Sequence, residues 1–186
     1  MSDRRKQIPI GCAINVAIIN ELSQTEEFKK ACINVPLKYG IKPPYKGSAW
    51  PFFNSSWTAY LMYSLLVVSK EVYNLPNEDP YFQNLVTKGA MNNFKILKEQ
   101  QPFREDPKYH FSCLRNAVSN VNYEINDNNI ILWDNLYEKS KSKDWHWKVE
   151  ISNNNFLNFL GLVNESNFQL YNEINSGLRN SDGTRK

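Results

Sequence analysis

Histidine is nearly missing from this chain: His110 and His146 are the only two in 186 residues, which excludes a histidine-rich metal site within one copy. Cysteine is scarce as well. Cys12, Cys32 and Cys113 are scattered, odd in number and without a CxxC pair. That pattern argues against a disulfide framework and against a zinc site, and fits reduced thiols in a cytoplasmic protein, so neither a metal nor any other cofactor is expected. A long apolar run is also lacking. The most apolar stretch, Trp57 to Val68, stops at Lys70, short of the about 20 residues needed to cross a bilayer. The opening MSDRRKQIPIGCAINVAII sets basic residues ahead of an apolar patch, but Pro9, Gly11 and Asn15 interrupt it and no small-residue cleavage site follows, so no signal peptide and no membrane partner are expected. Nor is there an excess of one charge, since a net charge of +3 does not by itself announce a nucleic-acid binder.

What is present is a globular composition, 41% hydrophobic and 13% aromatic, of a length that makes one domain over residues 1–186 with a single sizeable core. Residues 1–7 and 177–186 are polar and are expected to be flexible tails. Residues Ile8 to Ile19 admit two readings, a strand from the alternation of Ile14, Val16 and Ile18 or a short buried helix. Ser23 to Glu26 has capping-box spacing ahead of Phe28, Ala31, Cys32 and Val35 at helical intervals. Residues 36–53 hold four prolines and two glycines and predict a long loop, pinned by Trp50, Phe52 and Phe53. Asn54-Ser55-Ser56 caps a central buried helix, Trp57 to Tyr73. Asp79-Pro80 opens a second long helix that marks one face with Phe82, Leu85, Val86, Gly89, Ala90 and Leu97 and ends at Pro102.

Asp106-Pro107 repeats the opening signal. Tyr123 to Ile125, an Asn126–Asn129 turn and Ile130 to Trp133 predict a hairpin, and Trp145 to Ile151 alternates as a third strand with His146, Lys148 and Glu150 on its exposed side. Ser152 caps a short helix through Val163, and Phe168 to Ile174 makes a last one. The class is mainly α, a helical bundle with a small antiparallel hairpin or meander.

The helix after Pro107 carries the most informative pattern. At about 100° per residue, Phe111, Leu114, Val118 and Val121 fall within about 80° of arc and form the core stripe. The other face presents Arg115, Ser119, Ser112, Asn116 and Asn120, a lone guanidinium among small hydrogen-bonding groups with no acid beside it. A solvated face is the bland reading. A mixed lysine–glutamate composition is usual there, however, and this surface suits an anionic ligand or a second copy of itself, because arginine presents a planar donor fork that matches phosphate.

The stretch LRNAVSN, after two helices and before a hairpin ending Leu132-Trp133-Asp134, resembles the HEPN superfamily over roughly residues 54–165. In many of its members the signature is arginine, a polar residue, three variable positions and a histidine. Arg115 and Asn116 match the first two positions, and Asn120 stands where the histidine would be. The resemblance implies a compact helical homodimer in which these residues from two protomers form one composite catalytic site, Arg115, Asn116 and Asn120, for metal-independent endoribonuclease chemistry. It further implies RNA (tRNA or mRNA) as partner, with an antitoxin or regulatory protein, in a bacterial toxin–antitoxin or antiphage system.

Asparagine cannot carry the proton traffic of a histidine, which is worth about 10²–10⁴-fold in rate, so cleavage is expected to be impaired. Two readings of Asn120 stay open: a natural noncatalytic member that still binds RNA or nucleotide or serves as a dimeric scaffold, or a chain in which the histidine was replaced by a near-isosteric amide, which the survival of Arg115 and Asn116 favours. Ser119, Ser112 and Tyr123 flank the arginine as RNA contacts, and Lys139, Lys141 and Lys143 form an alternating basic loop able to steer a phosphate backbone, as are Arg4, Arg5 and Lys6. His110 falls off the polar strip and is expected to be packed, and His146 to be a surface residue.

Overall fold

A computed structural model describes residues 8–40, 58–68, 75–76, 79–99, 106–135, 145–180 and 183–186. The expectations for Arg4, Arg5 and Lys6, for Trp50, Phe52 and Phe53, for the cap at 54–56 and for Lys139, Lys141 and Lys143 lie outside the described residues.

Helix α1 (Ile8–Leu22) resolves the first ambiguity. Ile10, Ala13 and Val16 recur at intervals of three and are buried, whereas Ile14 and Ile18 of the alternating set are exposed. A three-residue step can bury one stripe of a helix but not one face of a strand. Helix α2 (Glu26–Lys38) follows a turn. Its first turn is capped by Thr25, whose hydroxyl accepts from the Phe28 amide at 3.2 Å, rather than by Ser23, whose hydroxyl donates to the Asn20 carbonyl. Helix α3 spans residues 58–68 and widens to a π-helix over Tyr63–Val68. It inserts Leu61, Met62, Leu65, Leu66 and Val67 into the core, as the central apolar helix was expected to do.

Helix α4 (Pro80–Thr87) starts as the Asp79-Pro80 pair dictates: the Asp79 carboxylate accepts from the Tyr81 amide at 2.9 Å. It does not run on to Pro102. Gly89 adopts φ 72°, and the Ala90 amide returns to the Leu85 carbonyl at 3.0 Å, a left-handed stop that ends the helix. Phe94 then turns back to the core, and residues Lys95–Lys98 form strand β1 instead of the last turns of a long helix.

Strands β2 (Tyr123–Ile125), β3 (Asn129–Asn135) and β4 (Trp145–Ser152) complete an antiparallel sheet in the order β1-β4-β3-β2. The hairpin closes where expected, with the Asn126 amide donating to the Asn129 carbonyl at 2.8 Å. On β3 the inward residues are Ile130, Leu132 and Asp134; on β4 they include Trp147, Val149 and Ile151. On the outer face Lys148 Nζ stands 3.9 Å from the ring centre of Trp145. Helix α5 (Pro107–Ser119) packs against α3 and β3.

Helix α6 (Asn153–Asn175) is one continuous helix of 23 residues where two short ones were expected. The polar run Asn164 to Asn167 hides the periodicity. Ser166 and Asn167 nevertheless share the buried face with Val163 and Leu170, because each has a partner: Ser166 donates to the Leu162 carbonyl at 2.9 Å, and Asn167 accepts from the Tyr81 hydroxyl at 2.9 Å. The segment after Ser176 is likewise not a free tail. Arg179 is 4% exposed and its guanidinium forks onto the Asp79 carboxylate, with distances of 2.6 and 3.0 Å, while its Nε meets Glu173. Burial alone would raise the Asp79 and Glu173 carboxyls. The bonds and charge of Arg179 outweigh it and hold both below their ordinary values.

Candidate functional site

Helix α5 carries the polar ridge, and its start is fixed by Asp106, which accepts from the Tyr109 amide at 2.9 Å with Pro107 in the first turn. From that origin His110, Cys113, Leu114, Ala117 and Val118 face inward. Arg115 and Asn116 are half-buried at the border of the core face, and Ser119 and Asn120 are exposed. Asn120 is the C-cap, its amide donating to the Asn116 carbonyl at 3.0 Å. Val121 does not join the core stripe. The helix has ended before it; Val121 sits at φ 56°, 69% exposed, while the next amide, that of Asn122, bonds the Ala117 carbonyl.

The structure thus brings Arg115, Asn116, Ser119 and Asn120 to one end of one helix. Ser112 lies apart from them in the wall of a small apolar cavity with Leu66, Phe82 and Leu170. Tyr123, half-buried on β2 opposite Leu132, packs against the core.

Beneath the ridge lies a polar network that the helical wheel alone does not reveal. Asn116 Nδ2 donates to Asp134 Oδ2 at 2.9 Å. The same carboxylate oxygen is 3.3 Å from His146 Nε2, and His146 Nδ1 is 2.9 Å from the Tyr109 hydroxyl. An imidazole that meets a carboxylate at Nε2 carries its proton there, so the tyrosine donates to Nδ1. The Cys113 thiol, the donor to the Asp134 carboxylate, lies beside the Tyr109 hydroxyl as well. Burial, reinforced by the Asp134 carboxylate, pushes that thiol up to about 12, and burial with the neighbouring Cys113, Asp134 and Glu99 raises the Tyr109 phenol.

His146 is therefore buried, not on the surface as strict alternation predicts. The β3–β4 register explains it: Asp134 pairs with Trp147 and Asn135 with Trp145, which leaves His146 as the extra residue of a bulge. The bulge turns its side chain toward Asp134. His110 is packed as expected. The Trp147 indole N–H donates to its Nδ1 at 2.8 Å, so its proton is on Nε2, 3.6 Å from Glu99.

Chemically, the ridge is a donor surface. Arg115 offers a charged fork, Asn116 and Asn120 offer amides, and Ser119 a hydroxyl; no imidazole or carboxylate stands among them. Both histidines of the chain are withdrawn from it into the interior.

No helix of the described residues is long and apolar enough to cross a membrane. No curated protein and no solved structure gives a significant match to the chain. A family model described as HEPN pEK499 p136 matches residues 5–173.

Proposed function

The chain belongs to the HEPN pEK499 p136 family, and from that membership we propose that it is a homodimeric, RNA-directed domain of endoribonuclease type whose cleavage step is impaired. HEPN domains commonly act on RNA and dimerise. The observation that carries the reading to particular residues is the ridge on α5, where Arg115 and Asn116 border the core and Asn120 ends the helix in solvent.

In this reading two α5 ridges face each other across the dimer and grip one RNA strand. Arg115 binds the phosphate and stabilises the charge that accumulates when the ribose 2′-hydroxyl attacks it. Asn116, its amide oriented by Asp134, donates to a second phosphate oxygen or to the partner protomer. Attack requires a group to take the 2′-hydroxyl proton and another to protonate the leaving oxygen. Asn120 does neither. RNA is then held with little turnover, and the cellular role is that of an effector in a cytoplasmic toxin–antitoxin or antiphage system, weakened at its chemical step.

The test is a pair of measurements on tRNA and mRNA pools. Binding at low salt should be lost on Arg115→Ala, and cleavage without added metal should appear on Asn120→His and vanish in Asn120→His/Arg115→Ala. Absence of RNA binding at low salt would overturn the reading. Binding that depends on Arg115 together with a silent Asn120→His variant would instead favour a noncatalytic RNA-binding or scaffold domain, to which the withdrawal of both histidines from the ridge also points.

A further inference from the structure

Three elements distant in sequence deliver a thiol, a carboxylate and an imidazole to one place. Cys113 comes from α5, Asp134 from β3 and His146 from β4, all three are buried, and one ligand atom from each lies within 4.8 Å of the other two. We propose that this cluster is a zinc-type divalent-cation site seated directly beneath the α5 ridge.

The donor set suits that ion. Zinc is borderline-soft and takes sulfur, nitrogen and oxygen together in tetrahedral geometry. With bonds of about 2.0–2.3 Å, neighbouring donors in such a site stand roughly 3.5 Å apart, so a cluster within 4.8 Å closes by about one ångström. His146 Nε2, Asp134 and Cys113 Sγ fill three positions and a water molecule the fourth. On binding, the Cys113 S–H bond breaks, its proton passes to solvent and the sulfur lone pair goes to the ion. The His146 ring proton shifts from Nε2 to Nδ1 through solvent exchange.

The surroundings are those of a supported metal centre. Metal-bound histidines hold their second nitrogen in a hydrogen bond, and ligating carboxylates are themselves hydrogen-bonded. Here Tyr109 is 2.9 Å from His146 Nδ1, and Asn116 donates to Asp134 at 2.9 Å. The bulge that departs from regular pairing exists at the one position where it aims His146 into the cluster. The ion would also supply the positive charge that a buried carboxylate and thiolate require. Through Asp134 it would fix the Asn116 amide, so it acts as a positioning element under the ridge. The site stands on its own ligands and does not depend on the RNA reading.

Cobalt(II) alone is the probe, added at one equivalent to the full chain after chelation and dialysis. A thiolate-to-cobalt charge-transfer band with tetrahedral d–d absorption is expected, bleached by zinc. Cys113→Ser should remove the band, Asp134→Asn should weaken it, and Tyr109→Phe should lower zinc affinity about 10–100-fold. The proposal is overturned if the folded wild-type chain gives no band, or if the band survives Cys113→Ser and so belongs to Cys12 or Cys32. Where Cys113→Ser fails to fold, Cys12→Ser/Cys32→Ser decides the matter: the band should persist in it, and its loss overturns the proposal.

Discussion

Asn116 on α5 and Asp134 on β3 are joined by a 2.9 Å hydrogen bond, so the second residue of the ridge is oriented by a strand that follows it in the chain. Asp134 also faces His146 and Cys113, so two buried groups and one half-buried amide depend on one carboxylate. Asp134→Ala should therefore lower stability by about 2–4 kcal/mol, because it leaves buried partners unmatched. Asn116→Ala, which removes a half-buried amide at the edge, should lower it by about 1 kcal/mol. Urea unfolding followed by tryptophan fluorescence measures both. Equal effects would mean that the carboxylate is not the hub.

Arg179 should govern stability in acid. Asp79 and Glu173 have folded pKa values below their ordinary ones, so in the acidic window the unfolded chain binds more protons than the folded one. Their contribution is complete above the unfolded values, near pH ~4, and is lost as pH falls through the folded values. Arg179→Ala should cost about 3 kcal/mol at neutral pH and flatten the acid limb of a melting-temperature profile. A variant limb as steep as the wild-type one would refute the assignment.

Two left-handed positions should respond with opposite signs. Gly89 ends α4 at φ 72°, and an alanine Cβ there would come 2.7 Å from Asn92 Nδ2, the tip of a side chain that can swing away. Backbone strain remains, so Gly89→Ala should destabilise by about 1–2 kcal/mol. Val121 is a β-branched residue at φ 56° just beyond α5, and it is exposed. Val121→Gly should stabilise by about 1 kcal/mol. Thermal melts of the two variants, read side by side, check the pair.

Salt dependence separates phosphate binding at Arg115 from an indirect effect of that residue. If the guanidinium neutralises one RNA phosphate, Arg115→Ala should reduce the slope of log affinity against log salt by about 0.7 for a single strand. Arg115→Lys should keep the slope and lose affinity, since the charge survives and the fork does not. An unchanged slope in the alanine variant would remove Arg115 from the phosphate.

Local signals predicted much of this architecture. Asp79-Pro80, Asp106-Pro107 and Ser152 each open a helix where expected, and the Asn126–Asn129 hairpin forms. The errors have distinct causes. Leu97 matched a helical face, but Gly89 had already stopped the helix, and the residues beyond it found a strand partner in β4. The polar run before Asn167 looked like a break because its satisfying hydroxyl, on Tyr81, lies far away in sequence. Of the candidate site, helical spacing placed Arg115, Asn116, Ser119 and Asn120 on one ridge as they stand, but it also put Ser112 there, which instead lines the apolar cavity. The cluster beneath it was not, since His146 owes its direction to a bulge, and no short spacing links Cys113, Asp134 and His146. Asp134 alone could have been noticed, as an acid on the inward register of Ile130 and Leu132.

The clasp of Arg179 on Asp79 spans 100 positions of chain. During synthesis the start of α4 leaves the ribosome long before its arginine does, and until then a carboxylate destined for the interior has only a backbone amide to answer it. The lobe where α4 and α6 meet therefore locks only when the polypeptide has been made at least to residue 179, so an abortive product ending earlier should keep that lobe loose and open to proteolysis.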